Sequence, residues 1–359
     1  MARFSYGGQA LIEGVLMRGR NSIAVALRHP DGRIVWADEQ LAVGFRATRW
    51  ARLPFVRGLV VLYETLVVGT RWLVRSAGVA AAEELPSMAP LEPAPPTPHT
   101  SLAPDTARDP AIMPDGLEAD PAPSPAPADS AELGKGAVAL MLGLTLVVGI
   151  GLFFFLPLLL AKAIAGSQSG VVERAVEGVI QVVIFLGYLL LIGRTSDVRR
   201  TFQYHGAEHM SIHALEAGDP LTVDAVRKYP TAHPRCGTEF LVVVILVSIV
   251  VFSLVGRQAI PVMIASRIVL IPVIAGISYE LLRFGARHRA SRIVRWLFQP
   301  GIWVQKITTK QPTDDMLEVA IVSLEQALLA DGEVPPDGAG RIGRSPLILS
   351  AEASPAPGA

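Results

Sequence analysis

Long uncharged apolar runs dominate the second half of the chain. Residues 136 to 161, GAVALMLGLTLVVGIGLFFFLPLLLA, carry no charge over 26 positions, enough for a helix to cross a hydrocarbon layer of about 30 Å. Gly178 to Gly193 is uncharged for 16 positions and is extended by Ala175 to Glu177, and Phe240 to Gly256 gives 17 more. A fourth run, Ala259 to Tyr279, is interrupted only by Arg267 and followed at once by Glu280. It predicts a span over residues 262–283 with Arg267 near one interface, where its stem can snorkel.

The first half is patterned differently. Ser22 to His29 and Arg33 to Asp38 are strand-like runs around the turn signal Pro30-Asp31-Gly32 and predict a small N-terminal β-hairpin. Gly7, Gly8, Gly14 and Gly19 read as tight turns rather than a phosphate cradle, and no nucleotide fingerprint is present. The apolar stretch 53–77 carries Arg57, Glu64, Arg71 and Arg75. Charges at that spacing favour a helix in the membrane plane or packed on the membrane over a fifth span. Asp314 to Leu329, with Pro312 and Thr313 at its start, reads as a soluble amphipathic helix.

The predicted fold class is mainly α: a polytopic helical membrane protein of about four spans with a small N-terminal β-hairpin. The predicted organisation is a β-containing unit over 1–50, an amphipathic or membrane-packed helix over 51–82 and a disordered Pro/Ala-rich linker over 83–132. A membrane domain over 133–300 follows, with a cytoplasmic His-rich segment at 194–239, then a C-terminal segment over 301–331 and a disordered tail over 332–359. The linker is assigned on composition, since residues 86–127 hold 13 of the 28 prolines and no Phe, Trp or Tyr.

Charge orients the spans. The segment between spans two and three carries Arg194, Arg199, Arg200, Arg227, Lys228 and Arg235, and span four is followed by Arg283, Arg287, Arg289, Arg292 and Arg295. The other two connections have only Lys162 with Arg174, and Arg257 with Arg267. The excess places the 194–239 segment and both termini in the cytoplasm of a multi-pass protein of the cell membrane. The first fifteen residues lack the apolar core of a cleavable signal peptide. The 32 basic and 32 acidic residues cancel, so no basic footprint for nucleic acid is expected. Apolar residues make up 51%, charged residues 18% and the mean hydropathy is +0.42, which again asks for lipid as the principal partner. A single cysteine, Cys236, excludes an internal disulfide framework.

Four of the seven histidines fall within 29 residues of the cytoplasmic segment. Ser196 and Asp197 are good N-caps and Gly218-Asp219-Pro220 is a stop, so residues 198–217 should form one helix. On it His205 and His209 lie one turn and about 40° apart, the spacing by which two imidazoles reach one zinc or similar divalent ion. With Glu208 they form H-x-x-E-H, in which the carboxylate is the natural base for water. His213 is about 12 Å from His205 along the axis and reads as a surface residue. A third ligand must come from elsewhere: His233 and Cys236 are the nearest candidates, Glu280 could approach from span four, and Glu13 is a weaker candidate. Glu216 lies two turns beyond His209, too far for the same ion unless the helix end unwinds. Two other readings stand beside this one: interfacial histidines bonded to carbonyls and headgroups, and Cys236 as a small buried hydrophobe.

Several runs together resemble the YqhQ family of uncharacterised bacterial membrane proteins. They are Tyr204-His205-Gly206-Ala207-Glu208-His209, Glu216-Ala217-Gly218 and His233-Pro234-Arg235-Cys236-Gly237-Thr238, with Gly7-Gly8-Gln9-Ala10, Glu13-Gly14-Val15, Met17-Arg18-Gly19, Tyr279-Glu280, Pro300-Gly301 and Thr308-Thr309. The resemblance implies a metal-dependent enzyme of the cell membrane and points to His205, Glu208, His209, Glu216, His233, Arg235 and Cys236 as motif positions. It carries no substrate or reaction. The expected function is therefore a metal-dependent enzyme, in the hydrolase class, acting on a membrane-proximal substrate. The alternatives are a non-catalytic scaffold that recruits a protein partner and, third, a transporter.

Overall fold

The computed structural model describes residues 6–41, 53–81, 135–165, 170–234, 236–255, 260–288, 290–336 and 342–347. The linker expected over 83–132 lies outside the described residues, and so does Arg235. The chain divides into two units, residues 1–84 with 149–359, and residues 85–148, of which 135–148 are described and helical.

The expected hairpin is part of a larger sheet. Strands β1 (Gly7–Leu11), β2 (Gly14–Arg18), β3 (Ser22–Arg28) and β4 (Ile34–Gln40) form an antiparallel meander, with Gly8 opposite Met17 and Ala26 opposite Trp36. Gly7, Gly8 and Gly14 are therefore strand residues, not turns. Short β5 (Ser345–Pro346) pairs parallel to β4, so residues 342–347 of the expected tail return to the sheet. Arg344 is held there by the carboxylate of Glu325, which is fully buried and requires a cation.

Both faces of the sheet are covered. Val15, Met17, Ala24, Ala26 and Ile34 face a core shared with helices α5 (Ser196–Ala217) and α11 (Asp314–Ala330). Leu16, Ile23, Val25, Leu27 and Val35 face Trp72 of α1 (Val56–Ala81). Helix α11 covers the stretch expected as a soluble amphipathic helix but has no broad solvent face. It packs between sheet and α5, and Met316 to Leu328 is buried except at Glu318. Ser323 is satisfied inside the core, where it donates to the carbonyls of Val15 and Ala24.

Four helices among the described residues are long and apolar enough to cross a membrane, over Gly143–Ala165, Val172–Ile192, Thr238–Val255 and Ala265–Arg287. The first comprises the end of α2 (Lys135–Ile150), a π-helical turn at Gly151–Phe155 and α3 (Leu156–Ala165). The others are α4 (Gly170–Ile192), α7 (Thr238–Val255) and α8 (Ile260–Arg287). Arg267 does not reach for an interface. It is buried, paired at 2.5 Å with Glu177 of α4, and stacked over Phe252, because a charge between helices is stabilised by a partner where water is absent. Helix α1 is not among the four. Gly58 fits against Tyr279, Arg57 pairs with Glu280, and Tyr63, Leu66 and Val74 stay exposed on its outer side.

The sheet, α5 and α11 share one core, so all three lie on the same side of any membrane the spans cross. Two spans separate α1 from α5 and two separate α5 from α11, which gives even crossings in each interval.

Candidate metal centre

Helix α5 begins at N-cap Thr195, one residue before the expected caps, with Asp197 in its first turn. It ends at Gly218, whose φ of 78° is the left-handed conformation glycine adopts at low cost. Tyr204 and the stretch from Gly206 to Ser211 are buried, so the helix has no solvent face at the motif. Its polar side chains must find partners inside the protein.

The partners come from two short segments. One is residues 231–236, between α6 (Val223–Val226) and α7. The other is 308–310, at the end of α10 (Gln299–Thr308). His205 Nδ1 lies 3.0 Å from the carbonyl of Thr308 and His209 Nδ1 lies 2.6 Å from that of Thr231. A carbonyl only accepts, so each Nδ1 carries a proton, and in the neutral ring Nε2 is the nitrogen left to bind. His205 Nε2 sits 3.1 Å from Cys236 Sγ, whereas His209 Nε2 is buried and meets no hydrogen-bond partner. The ligand atoms of His205, His209 and Cys236 all lie within 4.8 Å of one another. Among the described residues this is the one group of three that can hold a metal ion.

The electrostatics suit neutral nitrogen ligands. Burial, reinforced by His205 and the other histidines, pushes His209 down to about 2, so it stays unprotonated. Burial and then the charge of Glu208 push the Cys236 thiol up to about 12, although Thr238 donates to it through its hydroxyl and amide. A thiol so disfavoured as a thiolate is a poor free nucleophile. Burial raises Glu208 to about 7 against the opposing pull of His205 and the Gly8 amide, and its Oε2 has no hydrogen-bond partner.

The remaining sequence candidates are distributed around this trio. His233 turns its Nε2 to Glu216 at 3.3 Å, and its amide donates to Gln305 Oε1 at 2.9 Å. Glu216 thus enters as the partner of an outer histidine. His213 is not a solvated surface residue: it is half-buried, bonded to the carbonyl of Ala232 and packed edge-on against His233. Glu280 is committed to Arg57 and the Phe55 amide, and Glu13 to Arg200 and Tyr204, so neither joins the trio.

Sequence reasoning did not single out Thr231, Gln305 or Gly206. The first two have no local signature, since one serves through its backbone and both act across long chain separations. Gly206 had one, because a glycine inside a helix usually marks a close approach. A Cβ there would stand 2.2 Å from the Lys310 carbonyl oxygen.

Two imidazole nitrogens and one sulfur, with one lone pair left unmatched inside the protein, match the donor preference of zinc. The backbone carbonyls behind both imidazoles are the usual outer support of metal-binding histidines.

A family model described as "Protein of unknown function (DUF1385)" matches residues 53–330. The "Uncharacterized protein YqhQ" of Bacillus subtilis (strain 168) is 29% identical over 328 residues, which cover 90% of this chain and 92% of that protein. No solved structure matches the chain.

Proposed function

The chain belongs to the DUF1385 family of proteins of unknown function, which hands down no activity, and from the geometry we propose that it is a membrane-embedded, metal-dependent hydrolase. His205, His209 and Cys236 hold zinc or a similar divalent ion, and Glu208 moves the proton. The observation that carries this reading is the convergence of two Nε2 lone pairs and one sulfur, with His209 Nε2 buried and unmatched. Such an ion supplies Lewis acidity toward a carbonyl or phosphoryl oxygen. Glu208, between the two histidines in sequence and raised to about 7, is poised to take a proton from water near neutrality and return it to the leaving group as the bond to that group breaks. His233 with Glu216 forms the outer layer. The positive-inside distribution supports a cytoplasmic position for the site, which lies beside the ends of α7 and α10.

Metal analysis of the purified full-length protein tests this. The expected result is about one ion per chain, lost in a His205→Ala, His209→Ala double variant and kept in Glu208→Gln. Protein without stoichiometric metal sinks the proposal. A non-catalytic scaffold is favoured by one observation: His205, His209 and Cys236 also staple α5 to the segments at 231–236 and 308–310. Complementation of a deletion strain separates the two, since a scaffold tolerates Glu208→Gln and the hydrolase does not.

A further inference from the structure

The segment that bears His233 and Cys236 also walls a cavity. Pro234 and Glu239 form one side of a space of about 330 Å³, and Val294, Phe298 and Ile302 form the other. That volume lies at the lower end of those that hold small ligands. The opposite wall comes from α9 (Arg292–Leu297) and α10, and α9 is two-faced. Val294 and, just past its end, Phe298 turn inward to the cavity, while Ile293 and Trp296 are 77% and 76% exposed. Trp303 on α10 is exposed as well.

In a chain with four membrane-crossing helices, exposed tryptophans beside exposed arginines mark the headgroup level of the bilayer. Arg287, Arg292 and Arg295 supply the cations there, and Arg295 also lines the cavity. The acid in the wall, Glu239, is 1% exposed, with its stem over Gly301, so it presents almost no surface to an occupant. An apolar space at headgroup depth with an arginine at its rim is complementary to a lipid that has a hydrocarbon chain and a negatively charged head. A sugar or a polar peptide would gain little from the hydrocarbon walls.

We infer that this cavity is the lipid subsite of the enzyme, taking the chain of an anionic, phosphate-bearing lipid whose head lies against Arg295. That the lipid is a substrate rests on the reading of the neighbouring His–His–Cys group as the reacting centre.

Photolabelling tests it. The full-length protein is reconstituted in phosphatidylcholine nanodiscs containing phosphatidylglycerol with a photoreactive acyl chain, and labelled positions are mapped by mass spectrometry. The photoreactive phosphatidylcholine is run in parallel. Labelling is expected to concentrate on residues 294–302 and 234–239, several-fold above exposed span residues such as Leu254. It should fall several-fold in Ile302→Trp, which fills the cavity, and Arg295→Gln should remove the preference for the anionic lipid without disturbing the core. Label spread evenly over the spans, or no headgroup preference in the wild type, overturns the inference. Zinc content, measured on every sample, keeps the two readings apart: cavity labelling in metal-free protein retains the lipid site and removes the enzyme, whereas even labelling of zinc-loaded protein does the reverse.

Discussion

The substitution Gly206→Ala adds one methyl group in the middle of the motif, and its outcome follows from two opposed quantities. Alanine is the better helix former by about 1 kcal/mol, so in an unobstructed helix the change stabilises. At Gly206 the new Cβ would stand 2.2 Å from the carbonyl oxygen of Lys310 and 3.3 Å from Thr231 Cγ2. The first neighbour is backbone and has no rotamer with which to yield. Segment 308–310 must retreat by about 1 Å to regain an ordinary contact, and overpacking of this kind costs about 1–3 kcal/mol. The net is a loss of up to about 2 kcal/mol. The same retreat stretches the 3.0 Å contact between His205 Nδ1 and the Thr308 carbonyl beyond hydrogen-bonding range. Loss of such outer support weakens metal binding by about 10–100-fold. Zinc competition against a chromophoric chelator reads the affinity, and thermal unfolding of the metal-free protein reads the stability. Gly78→Ala, on α1 with open space around it, is the control and should raise Tm. If Gly206→Ala also raises Tm and leaves zinc affinity within about twofold, the coupling of segment 308–310 to His205 is refuted.

Zinc affinity should fall about tenfold for each pH unit of acidification near neutrality, because the Cys236 thiol, pushed up to about 12, must lose its proton to bind, while His209, held near 2, has none to lose. A flat affinity profile, or one unchanged in Cys236→Ser, contradicts this. Asp331→Ala should cost about 1–2 kcal/mol, since its carboxylate accepts from the amides of Arg20 and Asn21 at 2.5 and 3.0 Å and from the Ser22 hydroxyl at 2.9 Å. Burial pulls its pKa up, but those donors outweigh it and hold it below the ordinary carboxylate value. Its contribution is therefore present above that value and lost as pH falls through the lower folded one, and acid unfolding curves of wild type and variant should converge. Arg267→Leu should cost about 3–5 kcal/mol by stranding Glu177, and the Arg267→Leu, Glu177→Leu pair should recover most of it in detergent unfolding. A loss in the double variant equal to the sum of the two single losses would show that the pair is not coupled.

The spans were legible because absence of charge over that length has no other stable use in a chain of this kind. The frame of α5 was legible because Gly218 fixed its end and the two histidines recur at one-turn spacing. The sheet was visible only in its β3–β4 hairpin. Strands such as Val15 to Met17 and Ile23 to Leu27 are covered on both faces, so the polar-apolar alternation that marks a strand is missing. The burial of α11 was hidden for a related reason: its polar residues fit a soluble amphipathic helix, but the partners of Ser323 lie about 300 residues upstream and that of Glu325 lies in the tail. The third ligand was left open among His233, Cys236 and Glu280, with Glu13 weaker, and pairing of His233 with Glu216 is a tertiary fact that no spacing expresses.

The packing of α11 against the N-terminal strands also sets an order of events during synthesis. Residues 6–41 leave the ribosome first, but one face of their sheet is closed by a helix at 314–330. At about 5–20 residues per second, that face waits tens of seconds while four apolar helices are delivered to the bilayer. Over that interval Val15, Met17, Ala24 and Ala26 are open to chaperones and to other nascent chains. A ribosome that stops early would release a protein already anchored in the membrane, with its N-terminal sheet uncovered.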